Sequence, residues 1–296
     1  METTIRSSFQ LGDILRAYIE LAKLRIVLLL LFTTVTAMVI AAHGIPPLDI
    51  LIPTLIGGAL AAGGASAINQ YIDREMDAQM ARTSRRPIPS GRIAPVNALL
   101  FGMVLLAWAV LILGVWVNWL AAALAFAGGI YYVVIYTILL KRNTVINILI
   151  GGGAGAIPVL VGWAAVTGTL SLEAFILFAI VFYWTPPHSW ALALLVNSDY
   201  AKANVPMMPV ARGEHAARVQ ILLYSVQLVL ITLVPGPFRM LGAVYFVAAV
   251  VLGVVFIRMA VLLVRAADKA AARRMYKYST AYLAFLFLAM ILDQIL

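Results

Sequence analysis

The sequence predicts an all-α polytopic membrane protein, a bundle of about nine transmembrane helices around a central cavity open to the cytoplasmic side. Three observations predict it. Of 296 residues, 64% are apolar and 11% charged, with a mean hydropathy of +1.01. Soluble domains are about 45–50% apolar and about 25% charged, so a chain this poor in polar residues cannot coat a soluble surface. The apolar residues fall in runs of roughly 20, the length that crosses a ~30 Å hydrocarbon core. The basic residues, thirdly, collect on one side of those runs. A formal net charge of +9 then reports membrane topology and an anion site; the short connections leave no soluble domain that would bind nucleic acid. The chain contains no cysteine, which excludes disulfides, thiolate catalysis and cysteine-ligated metals.

Apolar periodicity and charged breaks place spans at 24–43, 49–70, 95–116, 119–140, 145–167, 172–195, 216–234, 240–263 and 278–295. With the N-terminus inside, one face holds Arg6, Arg16, Lys23 and Arg25; Arg74, Arg82, Arg85, Arg86 and Arg92; Lys141 and Arg142; Lys202, Arg212 and Arg218; and Arg258, Arg265, Lys269, Arg273, Arg274 and Lys277. Of the 21 basic residues only Arg239 falls on the other face, so the N-terminus is expected in the cytoplasm and the C-terminus outside. The first 23 residues include Glu2, Asp13 and Glu20 and lack the marks of a transit or signal peptide; a bacterial inner membrane is the expected home. Residues 18–25 form either a short interfacial helix or an extension of the first span. The chain reads as a single domain, 1–296, with a cytoplasmic segment at 1–23 and cytoplasmic active-site loops at 73–94 and 197–214.

Two of these loops carry chemistry. Asn69, Asp73 and Asp77 recur at i, i+4 and i+8, within about 80° of one another on a helix, and so form one polar stripe at the cytoplasmic end of the second span. Hard oxygen ligands at this spacing suit Mg²⁺, which is normally shared between one or two carboxylates and a substrate phosphate; the alternative is a solvated helix end. The segment that follows holds Arg82, Arg85, Arg86 and Arg92 around Pro87, Pro89 and Gly91, planar forks on a fixed loop that suit phosphate oxygens. After the sixth span, Asp199 is followed by Lys202, Arg212 and two prolines, Pro206 and Pro209, a weak echo of the first loop. Lys141 and Arg142 end the fourth span on the same face, either in the anion site or as topology markers alone.

In these residues the chain resembles the UbiA-type intramembrane prenyltransferase superfamily, whose first signature, N-x-x-x-D-x-x-x-D, is matched by Asn69, Asp73 and Asp77. Within it the chain is similar to the heme-farnesylating branch. That similarity rests on the run from Asp73 to Arg92, on Gly162-Trp163 through Thr167-Gly168, on Trp184-Thr-Pro186-Pro187-His188-Ser-Trp190, and on Asp199-Tyr200 with Val205-Pro206-Met207. The second signature departs from the superfamily: Asp199 is followed by Ala203 at i+4, which leaves the second metal's ligand set incomplete. The resemblance implies transfer of a farnesyl group from farnesyl diphosphate to a vinyl group of protoheme IX (heme B, a substrate and not a cofactor), with hydroxylation by water to give heme O. It implies Mg²⁺ as cofactor, held by Asn69, Asp73, Asp77 and Asp199. Catalysis falls to Asp73, Asp77 and Lys202, and the diphosphate to the arginines named above with Lys141, Arg142, Lys202 and Arg212. The lipid bilayer, farnesyl diphosphate and heme B are the expected partners, with heme-synthesis or oxidase-assembly proteins as candidate neighbours.

His188, Trp163, Trp184 and Tyr200 are assigned to the acceptor. His188 follows a double proline inside an apolar span, where prolines are expected to break the helix and an ionisable side chain marks a site. It is expected to ligate iron, hydrogen-bond a propionate, or satisfy the broken helix. Gly151, Gly152, Gly153 and Gly155 either make room for a flat macrocycle or serve close helix packing. Two rivals remain at this stage: a prenyltransferase of the same superfamily with an aromatic acceptor, and a secondary transporter, which would place its charges at the midplane.

Overall fold

The structure, a computed structural model, describes residues 11–296; the start of the expected N-terminal segment, with Glu2 and Arg6, lies outside the described residues. The described residues form helices joined by loops, without strands. In order they form α1 Leu11–Ala22, α2 Leu24–Ala41, α3 Leu48–Gln79, α4 Pro95–Trp116, α5 Trp119–Ile130, a π-helical stretch Tyr131–Leu140, α6 Asn147–Gly151, α7 Gly153–Thr167, α8 Leu172–Leu195, α9 Asn197–Lys202, α10 Met208–Leu233, α11 Ala243–Ala266 and α12 Lys269–Ile295. Among the described residues nine helices are long and apolar enough to cross a membrane: α2, α3, α4, α5 with the π stretch, α6 with α7, α8, α10, α11 and α12. The protein is a multi-pass membrane protein.

The helices pack in two groups. Met38, Leu106, Leu113, Ala121, Ala122 and Ala164 form a core among α2, α4, α5 and α7, where α3 also packs. Leu177, Ile180, Tyr245, Phe256, Tyr282 and Phe287 lie in a larger core centred on α8, α10, α11 and α12. The groups meet where α7 packs on α8 and α2 on α12. Apolar burial between helices gains little in lipid, so close backbone approach matters more. At the α3–α4 crossing a Cβ on Gly64 would stand 2.7 Å from the Gly102 carbonyl oxygen, and one on Gly102 the same distance from that of Gly64.

Three expectations are corrected. Residues 18–25 are neither a helix of their own nor an extension of the first span: α1 ends at Ala22, and Lys23 turns the chain with φ 52°, ψ 53°. Gln70 Nε2 ties α1 to α3 by donating to the Leu21 carbonyl at 2.9 Å. Helix α3 continues to Gln79 and α12 begins at Lys269, past the predicted limits of 70 and 278, so Asp73 and Asp77 stand on a helix and the first loop begins at Met80. Pro186 and Pro187 do not break α8, which is continuous. They deny the carbonyls of Phe182 and Tyr183 their helical partners, a loss tolerated inside a packed bundle.

Candidate active site

The Asn69, Asp73, Asp77 stripe is buried at 2%, 0% and 1% exposure and meets basic residues from three other segments. Asp73 Oδ2 accepts from Lys141 Nζ at 2.5 Å and from Asn69 Nδ2 at 2.8 Å, and its Oδ1 faces Arg142 at 3.4 Å. Asp77 Oδ2 accepts from Arg86 at 2.6 Å, and its carbonyl accepts from the Thr83 hydroxyl at 2.9 Å, which folds the arginine loop back over the end of α3. Asn69 Nδ2 also donates to Thr137 Oγ1 at 3.0 Å, and its Oδ1 accepts from Lys23 Nζ at 3.1 Å.

The π-helical stretch positions the third side of this cluster. Its wider turn lets Thr137 Oγ1 donate to the Tyr132 carbonyl and the Lys141 N–H to that of Tyr136, both at 2.8 Å, leaving Thr137 against Asn69 and Lys141 against Asp73. π-Helical turns are rare and concentrate at functional sites. Burial lowers the Lys141 ammonium pKa against the pull of Asp73. Burial, with Arg86 and Lys141 nearby, brings Lys23 down to about 7. Arg86, Lys141 and Arg142 set three cationic groups against two carboxylates, with Lys23 beside them, so the cluster carries a positive surplus suited to an anion.

Beside it lies a cavity of about 650 Å³, a size usual for a small-molecule site. Lys23, Tyr132 and Tyr136 line it near the cluster, while Gly155, Trp184, His188 and Tyr276 form other parts of its wall. Lys23 thus both lines the cavity and bonds to the stripe. The wall is mostly apolar, drawn from both helix groups.

The sequence pattern described as the UbiA prenyltransferase family matches residues 30–290. The chain belongs to that family. It is 50% identical over 99% of its length to a protoheme IX farnesyltransferase of Chloroflexus aurantiacus and 50% identical over 96% to one of Roseiflexus sp.. The chain spans about half the length of these two relatives, 50% and 53%. With a protoheme IX farnesyltransferase of Symbiobacterium thermophilum it shares 50% identity over 97% of both chains. Among solved structures it superposes on a digeranylgeranylglyceryl phosphate synthase with a TM-score of 0.79 at 19% identity, covering 96% of this chain and 99% of that one. A UbiA homolog from Archaeoglobus fulgidus, bound to DMAPP and Mg²⁺, superposes with a TM-score of 0.65 at 16% identity over 92% and 98%. These two likenesses show the fold.

Within this UbiA-family fold the residues singled out from the sequence separate. Asn69, Asp73, Asp77, Arg86, Lys141 and Arg142 converge. Arg82 joins the second loop: its backbone N–H points to Asp199 Oδ2 at 3.4 Å. Burial raises the Tyr200 pKa, opposed by Arg82, and Tyr200 packs there, not on the cavity wall. Arg92 is a strut, donating to Glu20 at 2.6 Å and to the Arg85 carbonyl at 2.8 Å; this pair holds the Glu20 carboxyl below its usual range. Arg85, Lys202 and Arg212 are exposed and form no ion pair among the described residues. Trp184 and His188 line the cavity, whereas Trp163 is buried away from it with its Nε1 unpartnered. A Cβ at Gly151, Gly152 or Gly153 would press on Tyr136, Thr185 or Tyr131, so these glycines serve packing, while Gly155 faces open space.

The donor chemistry fits Mg²⁺ shared with a phosphate. Asp73 and Asp77 are hard, buried oxygen donors, and Asp77 Oδ1 has no partner among the described residues. Among those residues no three Asp, Glu or His side chains converge as a metal site, so Mg²⁺ held here would need further oxygens from substrate or water. Lys23, Thr137, Ser279 and Tyr276 were missed in the sequence. Lys23 had read as a topology marker, and the others carry no local signal.

Proposed function

We propose that this chain transfers a farnesyl group from farnesyl diphosphate to a vinyl group of protoheme IX, with water supplying a hydroxyl, to give heme O and diphosphate. The observation that carries the reading is the buried Asp73–Lys141 and Asp77–Arg86 cluster beside an apolar cavity of about 650 Å³, in a chain whose full-length relative at 50% identity is a protoheme IX farnesyltransferase. Asp73 and Asp77 would hold Mg²⁺ shared with the diphosphate, with Asn69 beside them; Asp199, on the second loop, would serve a second ion rather than the same one. When bound, Mg²⁺ neutralises the charge that gathers on the departing diphosphate.

The chain's own residues do the rest. Lys141, Arg142 and Arg86 neutralise the carboxylates in the absence of substrate. When a cation takes over that task, their donors turn to phosphate oxygens, with Arg86 gripping two at once. Lys23, whose partner is a neutral amide oxygen and which lines the cavity, would meet the diphosphate from the cavity side. Arg82, Arg85, Lys202 and Arg212 supply the outer field that draws the anion in. The C–O electron pair leaves with diphosphate, and the apolar wall keeps water from the allylic cation. The vinyl π electrons then form the new C–C bond, water adds to the resulting cation, and one proton is released. Trp184 and His188 belong to the acceptor side of the cavity.

The N-terminus is placed in the cytoplasm of a bacterial inner membrane and the C-terminus outside, supported by the one-sided basic residues. The test of the function is extraction of pigments from cells making the protein. Heme O is expected; a prenylated aromatic product, or no new heme, contradicts the reading.

A further inference from the structure

One group on the cavity wall is unused by the diphosphate chemistry. The His188 ring stacks on Trp184 at 4.3 Å and packs against Tyr276 at 4.8 Å, centroid to centroid, and its Nδ1 lies 2.8 Å from Ser279 Oγ. Ser279 Oγ also lies 2.8 Å from the Tyr276 carbonyl, which can only accept. With its single proton given to that carbonyl, Oγ accepts from the ring and the imidazole proton sits on Nδ1, the tautomer taken below. Nε2 keeps its lone pair, on the ring edge opposite the Ser279 anchor, and has no hydrogen-bond partner among the described residues. The anchor is itself fixed, because Trp184 Nε1 donates to the Ser279 carbonyl at 2.6 Å.

A ring with one nitrogen tied to an oxygen acceptor and the other bare, its plane fixed by packing, is how proteins present neutral imidazole to a metal. Solvation alone accounts poorly for the arrangement, since the bare nitrogen belongs to a residue lining a mostly apolar cavity and an unpaired acceptor there carries a desolvation cost. We propose that His188 Nε2 ligates the iron of the heme substrate, and that Ser279 is the positioning residue that sets the ring's tautomer and plane. The inference rests on the proposed function, which supplies the metalloporphyrin. The bond forms by donation of the Nε2 lone pair, with no change of iron oxidation state and no proton moved. It fixes the centre and plane of the macrocycle and leaves rotation about the iron–nitrogen bond to the cavity walls.

The experiment titrates heme, and separately metal-free protoporphyrin, into the purified protein in nanodiscs, without farnesyl diphosphate. The wild type should bind heme at least tenfold more tightly than metal-free protoporphyrin and show a histidine–iron signature by resonance Raman and magnetic circular dichroism. His188→Gln should lose both the signature and the preference, and added imidazole should restore the signature. Ser279→Ala should keep the signature with heme affinity lowered about tenfold, as for other second-layer partners of metal-bound histidines. A wild type that shows tyrosinate or water ligation, or equal affinity for the two porphyrins, overturns the inference without any variant having to fold. A wild type that ligates through histidine but makes no heme O leaves this assignment standing and sinks the function instead.

Discussion

Asp73→Asn removes the carboxylate that neutralises two cations at once. Asp73 is fully buried, with Lys141 Nζ at 2.5 Å and Arg142 at 3.4 Å. Arg142 is 44% exposed and can turn to water, whereas the Lys141 side chain is 11% exposed and forms no ion pair with another carboxylate among the described residues. The asparagine amide can offer its oxygen to Lys141 or to Asn69 Nδ2, and its own NH₂ then opposes the other donor. Breaking a buried pair from one side costs about 3–5 kcal/mol, because the surviving charge is left without a partner. In a helical bundle of this size that lowers the unfolding midpoint by about 10 °C. Asp73→Asn should therefore be inactive and destabilised together, and loss of activity alone would not identify a metal ligand. Adding Lys141→Met removes the stranded charge, so the double variant should regain most of the lost midpoint while staying inactive. The assay is thermal unfolding in nanodiscs, paired with turnover. An Asp73→Asn protein as stable as wild type, or a double variant no more stable than the single, refutes the ion-pair account of the cluster.

Four further outcomes follow from the same geometry. Arg86→Lys keeps the charge but loses the planar fork that meets Asp77 at 2.6 Å, and kcat/KM for farnesyl diphosphate should fall at least tenfold. Glu75→Gln should match wild type in the same kinetics, because Glu75, between the two aspartates, is 78% exposed. Lys23→Met should raise the KM for farnesyl diphosphate with little change in stability, since Lys23 pairs with an amide oxygen and no carboxylate; unchanged kinetics would return Lys23 to a topological role. Gly155→Leu should fill cavity space without a clash, as nothing lies within 4 Å of its Cβ position, so the protein should stay folded while affinity for the porphyrin falls.

Hydropathy made the spans legible because crossing a bilayer demands about 20 apolar residues. It did not locate the ends of α3 and α12, since a helix goes on past the hydrocarbon wherever its polar residues find partners, as Asp73 and Asp77 do in Lys141 and Arg86. The acid stripe was readable from i, i+4 spacing, and Arg86 from its loop chemistry. Arg92 was singled out on the same chemistry, and the sequence did not show its pairing with Glu20, which lies 72 residues away in the chain. The π-helical stretch has an ordinary apolar sequence, and only the fit of Thr137 to Asn69 shows what its register achieves. Pro186 and Pro187 misled because proline's cost is counted in water, while α8 meets it inside a packed bundle. Lys23 and Ser279 reach the site through contacts far apart in sequence, which no local pattern reports.

The most direct test of the proposed chemistry is a turnover measurement on the purified protein with heme B, farnesyl diphosphate and Mg²⁺, the extracted pigments being separated and weighed by mass spectrometry. The account predicts heme O and an equal amount of diphosphate, both abolished by a chelator and restored by added Mg²⁺. Failure to form heme O with all three present, or formation that continues undiminished in the chelator, would contradict it.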